Sequence, residues 1–87
     1  MSATPTIGRV VHYTASEGSA DAINKRRATS GHQGNTVHAG DVFPATVVRV
    51  WPTCVNLQVQ LDGTDTYWAT SVYEGEGPHT WAWPTRA

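Results

Sequence analysis

The sequence predicts a mainly β fold, a small SH3-like antiparallel β-barrel with a long loop after its first strand, and three observations carry that reading. Val55, Leu57, Val59 and Leu61 alternate with Asn56, Gln58 and Gln60, the period-two pattern of a strand with one face buried and one face wet. Three short apolar runs between Val42 and Tyr73 are separated by two turn signals, Pro52-Thr53 and Asp62-Gly63-Thr64-Asp65, which makes a three-stranded meander. One strand before the meander and a short one after it complete a barrel. An OB-like barrel is the next choice, but it wants a helix between its third and fourth strands, and no such segment is present.

At 87 residues the chain reads as one domain, residues 1–87. A domain of this size buries only roughly 60–65% of the surface its unfolded chain exposes. Such small cores are reinforced by disulfides, a metal or self-association. Cys54 is the only cysteine, so no internal disulfide forms, and a homo-oligomer is the expectation. A net charge of -1 with only 15% charged residues argues against the broad basic surface that general DNA binding needs. No apolar run approaches the ~20 residues that span a bilayer, and MSATPTIGR has neither the basic nor the apolar region of a secretory leader. The chain is therefore expected off the membrane and in the cytoplasm.

Met1 to Pro5 reads as a loose arm. Ile7 to Thr14 reads as the first strand, with Val11 and Tyr13 on the core face and Gly8 at a bend or close approach. Residues 16–41 are rich in Gly, Ser, Thr, Asn and Ala and poor in large apolar side chains, so they cannot hold a core of their own. Ser19 or Asp21 is placed to cap a short turn of helix through Ala22, Ile23 and Lys25. After Ala28 the composition is that of a loop, and a loop this long is either disordered or functional. Pro44 places the next strand at an edge or a bulge. Trp68, Thr70 and Val72 share one face of the following strand, with Trp68 expected inside. Glu74 to Pro78 break the sheet, and Trp81 and Trp83 share a face of a short tail strand that Pro84 ends.

Each chemistry-bearing side chain has a plainer reading beside the functional one. Cys54 is a nucleophile only if a histidine activates it, and His12, His32, His38 and His79 stand at no fixed spacing from it; a small buried residue at a strand start is the simpler account. His32, His38 and Asp41 lack the paired spacing of a zinc site, so no metal or cofactor is expected. Asp62 and Asp65 read as turn chemistry rather than an acid and base pair. Nothing supplies a catalytic constellation, and an enzyme is not expected.

Two groups read as binding residues. Lys25, Arg26 and Arg27 are the one concentration of positive charge, suited to phosphates if they are not simply a solvated cluster. Trp51, Trp81 and Trp83, with His79 beside the tail, are aromatic groups suited to a surface that stacks on a base, a proline-rich peptide or a second copy of the chain.

The segments GRVVHY, PATVVRVW, VNLQVQLDGTDTYWATSV and GPHTWAWP resemble a pattern found in small proteins of actinobacterial phages, with GRxVHY, VNLQVxxDG and GxWxWP motifs. The resemblance covers most of the chain outside residues 16–41, and no activity comes with it. It implies a phage-encoded accessory protein made in the host cytoplasm. Two function classes follow. The first is a non-enzymatic ligand-binding module, in its sharpest form a sponge that sequesters a phosphorylated nucleotide signal of host immunity. The second is a protein-interaction or structural module that holds a host or phage protein through its aromatic surface.

Overall fold

The structure, a computed structural model, describes residues 4–84. Five strands close into one barrel: β1 (Val10–Thr14), β2 (Val42–Val50), β3 (Val55–Gln60), β4 (Thr66–Glu74) and β5 (Thr80–Ala82). Consecutive strands from β1 to β4 pair antiparallel. Closure comes from β5, which pairs antiparallel with β1 and parallel with β4 over only two positions. The mainly β, SH3-like barrel is thus what the chain forms, and it adds one helix, α1 (Glu17–Ser30).

Inside lie Val11, Tyr13, Val47, Val55, Leu57, Val59 and Val72, all without accessible surface or nearly so. The alternation of β3 is read directly: Val55, Leu57 and Val59 point inward while Asn56, Gln58 and Gln60 do not. β1 starts later than expected, at Val10, because Gly8 takes a positive φ of 93° and the Arg9 amide turns back to Thr6. The arm still joins the sheet, since the Gly8 amide donates to the Val47 carbonyl at 2.8 Å.

Both neighbours of β3 bulge at Asn56. Val48 is the extra residue in β2, between Val47 paired with Leu57 and Arg49 paired with Asn56. In β4, two residues stand between Ala69, opposite Leu57, and Val72, opposite Val55, and one of them, Ser71, takes a φ of 53°. An extra residue bends and twists its strand, and two of them flanking one straight strand supply curvature for closing so small a barrel. The Asn56 side chain repairs the disrupted ladder by accepting the Ser71 amide at 2.9 Å.

The β4 bulge also overturns the expected placement of Trp68. Ala69 and Val72 both face inward although they are three residues apart, because the bulge resets the alternation between them. Trp68 pairs with the outward Gln58 and is 61% exposed.

Residues 16–41 are not a structureless excursion, since more than half of them form α1, a 14-residue helix. Its N-cap is Ser16, rather than Ser19 or Asp21. The Ser16 hydroxyl accepts the Ser19 amide at 3.1 Å, and the Ser19 hydroxyl accepts the Ser16 amide at 2.8 Å, so two otherwise orphaned donors are satisfied reciprocally. Gly31 closes the helix in the left-handed conformation. Only a narrow stripe of α1 is buried, Ser19, Ala20 and Ile23, and it continues at helical spacing into Arg26 and Arg27. The segment after the helix is tied to it by the Asn24 amide, which donates to the Val37 carbonyl and accepts the Val37 amide.

Candidate functional site

β3 has a turn at each of its ends, and the two groups of predicted site residues divide between them. The basic cluster of α1 reaches the β3–β4 turn. There the Arg27 guanidinium donates to both carboxylate oxygens of Asp65, at 3.1 Å from Nε and 2.9 Å from Nη2, and gives its remaining nitrogen to the Asn35 carbonyl at 2.5 Å. Arg26 donates to the same carboxylate. The Arg27 and Asp65 side chains are only 8% and 3% exposed. Hydrogen bonds from Arg27, reinforced by those from Arg26 and by the charges of both, hold the Asp65 carboxyl down at about 2 despite its burial.

Two of the three expected phosphate-binding cations are therefore engaged inside the molecule, and Lys25 alone of the three is exposed. Asp65 is correspondingly not a self-bonding turn aspartate, as the sequence suggested, but the anchor for the helix. Gly63, the other marker of the turn, does not take the left-handed conformation that glycine often supplies to a hairpin. It is small for a different reason. A Cβ there would lie 2.5 Å from the Gln33 carbonyl oxygen and 2.7 Å from Arg27 Nη2, and one on Gly34 would lie 2.6 Å from the same nitrogen. The two glycines form an isolated bridge under the guanidinium.

The other turn, before β3, is built differently. The Trp51 amide donates to the Cys54 carbonyl at 2.8 Å across Pro52-Thr53. Trp51 remains 41% exposed, yet its ring is held. Its Nε1 donates to Asn56 Oδ1 at 3.2 Å, and the Arg49 guanidinium lies 4.4 Å from the ring centroid. Beside this indole is a cavity of about 250 Å³, with apolar walls from Val50, Pro52, Val55 and Trp81 and from Pro5 of the N-terminal arm. Cys54, half-buried just before β3, lines it too, as do Thr4, Thr53 and Glu74.

The tail divides its expected roles. Trp81, predicted to be partly exposed, is a core residue at 3% exposure, because the inward face of β5 carries it against the barrel interior. Trp83 is half-buried, packs edge-on to Trp81 at 5.3 Å and has the Arg9 guanidinium 5.2 Å from its ring. His79 is not presented to a ligand by both its nitrogens. Nδ1 lies 2.7 Å from the Tyr13 hydroxyl and Nε2 3.2 Å from the Thr70 carbonyl, which accepts, so the proton sits on Nε2 and Tyr13 donates to Nδ1. Burial raises the pKa of the Tyr13 hydroxyl, keeping it in the donor form.

Of the predicted binding residues, then, Trp51 and Trp81 meet at one cavity, while Arg26 and Arg27 meet Asp65 at the opposite end of β3. The residues that sequence reasoning missed are Arg49, Asn56 and Glu74. In the sequence Asn56 is one more outward polar residue of the alternating β3, and its role follows only from the bulges that flank it. Among the described residues no group of three or more His, Cys, Asp or Glu is arranged to hold a metal ion, and no helix is long and apolar enough to cross a membrane. No protein-family model, curated protein or solved structure matches this chain.

Proposed function

We propose that the chain is a non-enzymatic interaction module that holds a protein partner at the cavity beside Trp51. The observation that carries this reading is the state of that indole, exposed in its area but fixed in its geometry by Asn56 and Arg49. Binding energy concentrates in a few aromatic and arginine anchors at well-formed concavities, and an anchor already held in place loses little freedom on binding. Taken with the resemblance to phage proteins, the partner is a host or phage protein met in an infected cell. Selection from a random peptide library on the immobilised chain tests the proposal. Micromolar binders that weaken about tenfold with Trp51→Ala are expected, and a library that yields none dependent on Trp51 removes the reading.

A second reading, a sponge for a phosphorylated nucleotide, is favoured by one arrangement. Arg49 beside the Trp51 ring pairs a stacking surface with a cation, the two elements that hold a base and its phosphate. Its weakness is that Arg26 and Arg27 are already committed to Asp65. Calorimetry against cyclic di- and trinucleotides and ADP-ribose derivatives decides it, with no heat in any titration ending the nucleotide version.

A further inference from the structure

We infer that the outward face of β1 to β4 around Trp68 is the contact surface for a second copy of this chain; the cavity beside Trp51 takes no part in it. Pairing across the sheet sets Val10 beside Thr46, Thr46 beside Gln58 and Gln58 beside Trp68, one continuous outward row. Its two ends are apolar and open to solvent, Val10 at 51% and Trp68 at 61% exposure, and its two middle residues are uncharged and polar. Charge is scarce around it. β1 to β4 carry no Asp, Glu, Lys or Arg except Arg49, which lies over Trp51, and Glu74, the last residue of β4. A face that meets only water is normally studded with charges, and depletion of charge around an exposed tryptophan is the composition of an interface core.

The order of the row says which partner fits. Across the sheet it runs apolar, polar, polar, apolar, a palindrome about the line between β2 and β3. A two-fold contact requires a patch that complements itself, so that one residue meets a second while the second meets the first. A two-fold axis along that line, in the plane of the contact, lays Trp68 on the partner's Val10 and Gln58 on the partner's Thr46. The polar pair is matched as well as the apolar one. Thr46 Oγ1 accepts from Gln60 Nε2 at 3.3 Å and keeps its own proton to donate, and a glutamine amide both donates and accepts, so neither group is buried unpaired. With no charge in the row, no like charges meet across the axis. A core that includes Ala15, Ala20, Ala45 and Ala69 has little apolar bulk of its own, and self-association is one of the ways in which so small a domain is reinforced.

Sedimentation equilibrium of the intact chain tests this. The average mass is expected to climb from one chain towards two as concentration rises through the micromolar range. Trp68→Glu should weaken that association at least about tenfold, and with 61% of the native side chain already in solvent the variant should keep its fold by circular dichroism. The pairing itself is tested by Gln58→Glu and Thr46→Lys, each made alone. Either variant by itself brings two like charges to the axis and should associate more weakly than the native chain. An equimolar mixture of the two should recover a dimer with one of each, because the new carboxylate then meets the new ammonium. This pair keeps the inference falsifiable if Trp68→Glu does not fold. A chain that stays monomeric overturns it, including one that takes a selected peptide at Trp68 instead of a copy of itself. So does a dimer whose strength Trp68→Glu leaves unchanged, or a mixture that associates no better than its components.

Discussion

The turns at the two ends of β3 are made from similar material, a proline or glycine, an arginine from a neighbouring element and a planar group, a guanidinium at one and an indole at the other, and they are put to opposite use. At the β3–β4 turn the ionic groups are engaged from within: Asp65 takes two arginines, Arg27 takes a carbonyl as well, and Gly34 and Gly63 let the backbone and the guanidinium approach closely, although Arg26 Nε is buried without a partner. At the β2–β3 turn the planar group is Trp51, held at its edge and over its ring but with 41% of its surface left to solvent beside a cavity. At one end the planar group is held by an internal ion pair; at the other it is held but left facing solvent. Preorganisation without internal use is what distinguishes a binding surface from a structural one.

The sharpest way to break this contrast is to remove Asp65. Asp65→Ala leaves Arg27 buried without its anion, and loss of one partner from a buried ion pair costs about 3 kcal/mol or more. Urea denaturation is expected to show that loss, and Arg26, 37% exposed, contributes the smaller part of it. The same residue sets an acid response. Its folded pKa of about 2 lies below the ordinary 3.8, so the stabilisation is complete above the unfolded value and is lost as pH falls from about 4 towards 2. The denaturation midpoint of the native chain should fall across that window, and that part of the fall should be absent in Asp65→Ala.

A smaller effect is expected from Gly63→Ala. The added Cβ would meet the Gln33 carbonyl at 2.5 Å, and overpacking against backbone costs about 2 kcal/mol. Gly77→Ala is the control, because nothing lies within 4 Å of a Cβ there and its φ is not positive. Equal losses at the two positions would mean that the glycine is present for chain freedom rather than for the approach of Arg27.

How far these ends were legible in the sequence follows from the range of the interactions that build them. The barrel and the inward face of β3 are local, written in alternation and turn residues, and both were readable. The helix was not, for two physical reasons. Its capping box uses serine at both positions instead of the usual glutamate or glutamine at the second, and its buried stripe has Ile23 as its only large apolar side chain, continuing into arginines whose burial depends on Asp65, far along the chain. Trp68 was misplaced for a related reason, and Trp81 because its burial depends on β5 pairing with both β1 and β4. A single bulge at Ser71 puts Val72 out of phase with Trp68, which alternation counted through the strand places on one face, and that count contains no trace of an extra residue. Trp51 was readable as a surface aromatic; its immobilisation by Arg49 and Asn56 required the fold.

The smallest expected effect on stability is also the one that matters most for function. Trp51 lies outside the core, and its ring contributes one hydrogen bond and one cation–π contact, each worth on the order of 0.5–1 kcal/mol at an exposed site. Trp51→Ala releases Arg49 and Asn56 to water, which regains part of that, and Asn56 keeps its bond to Ser71. The variant should therefore denature within about 1 kcal/mol of the native chain, while binding of any partner at this turn falls about tenfold. Arg49→Ala isolates the stacked guanidinium and should loosen the indole, broadening its N–H resonance with little change in stability. If instead Trp51→Ala unfolds the barrel, the indole is a strut for the β2–β3 turn, and the two ends of β3 differ in exposure alone and not in purpose.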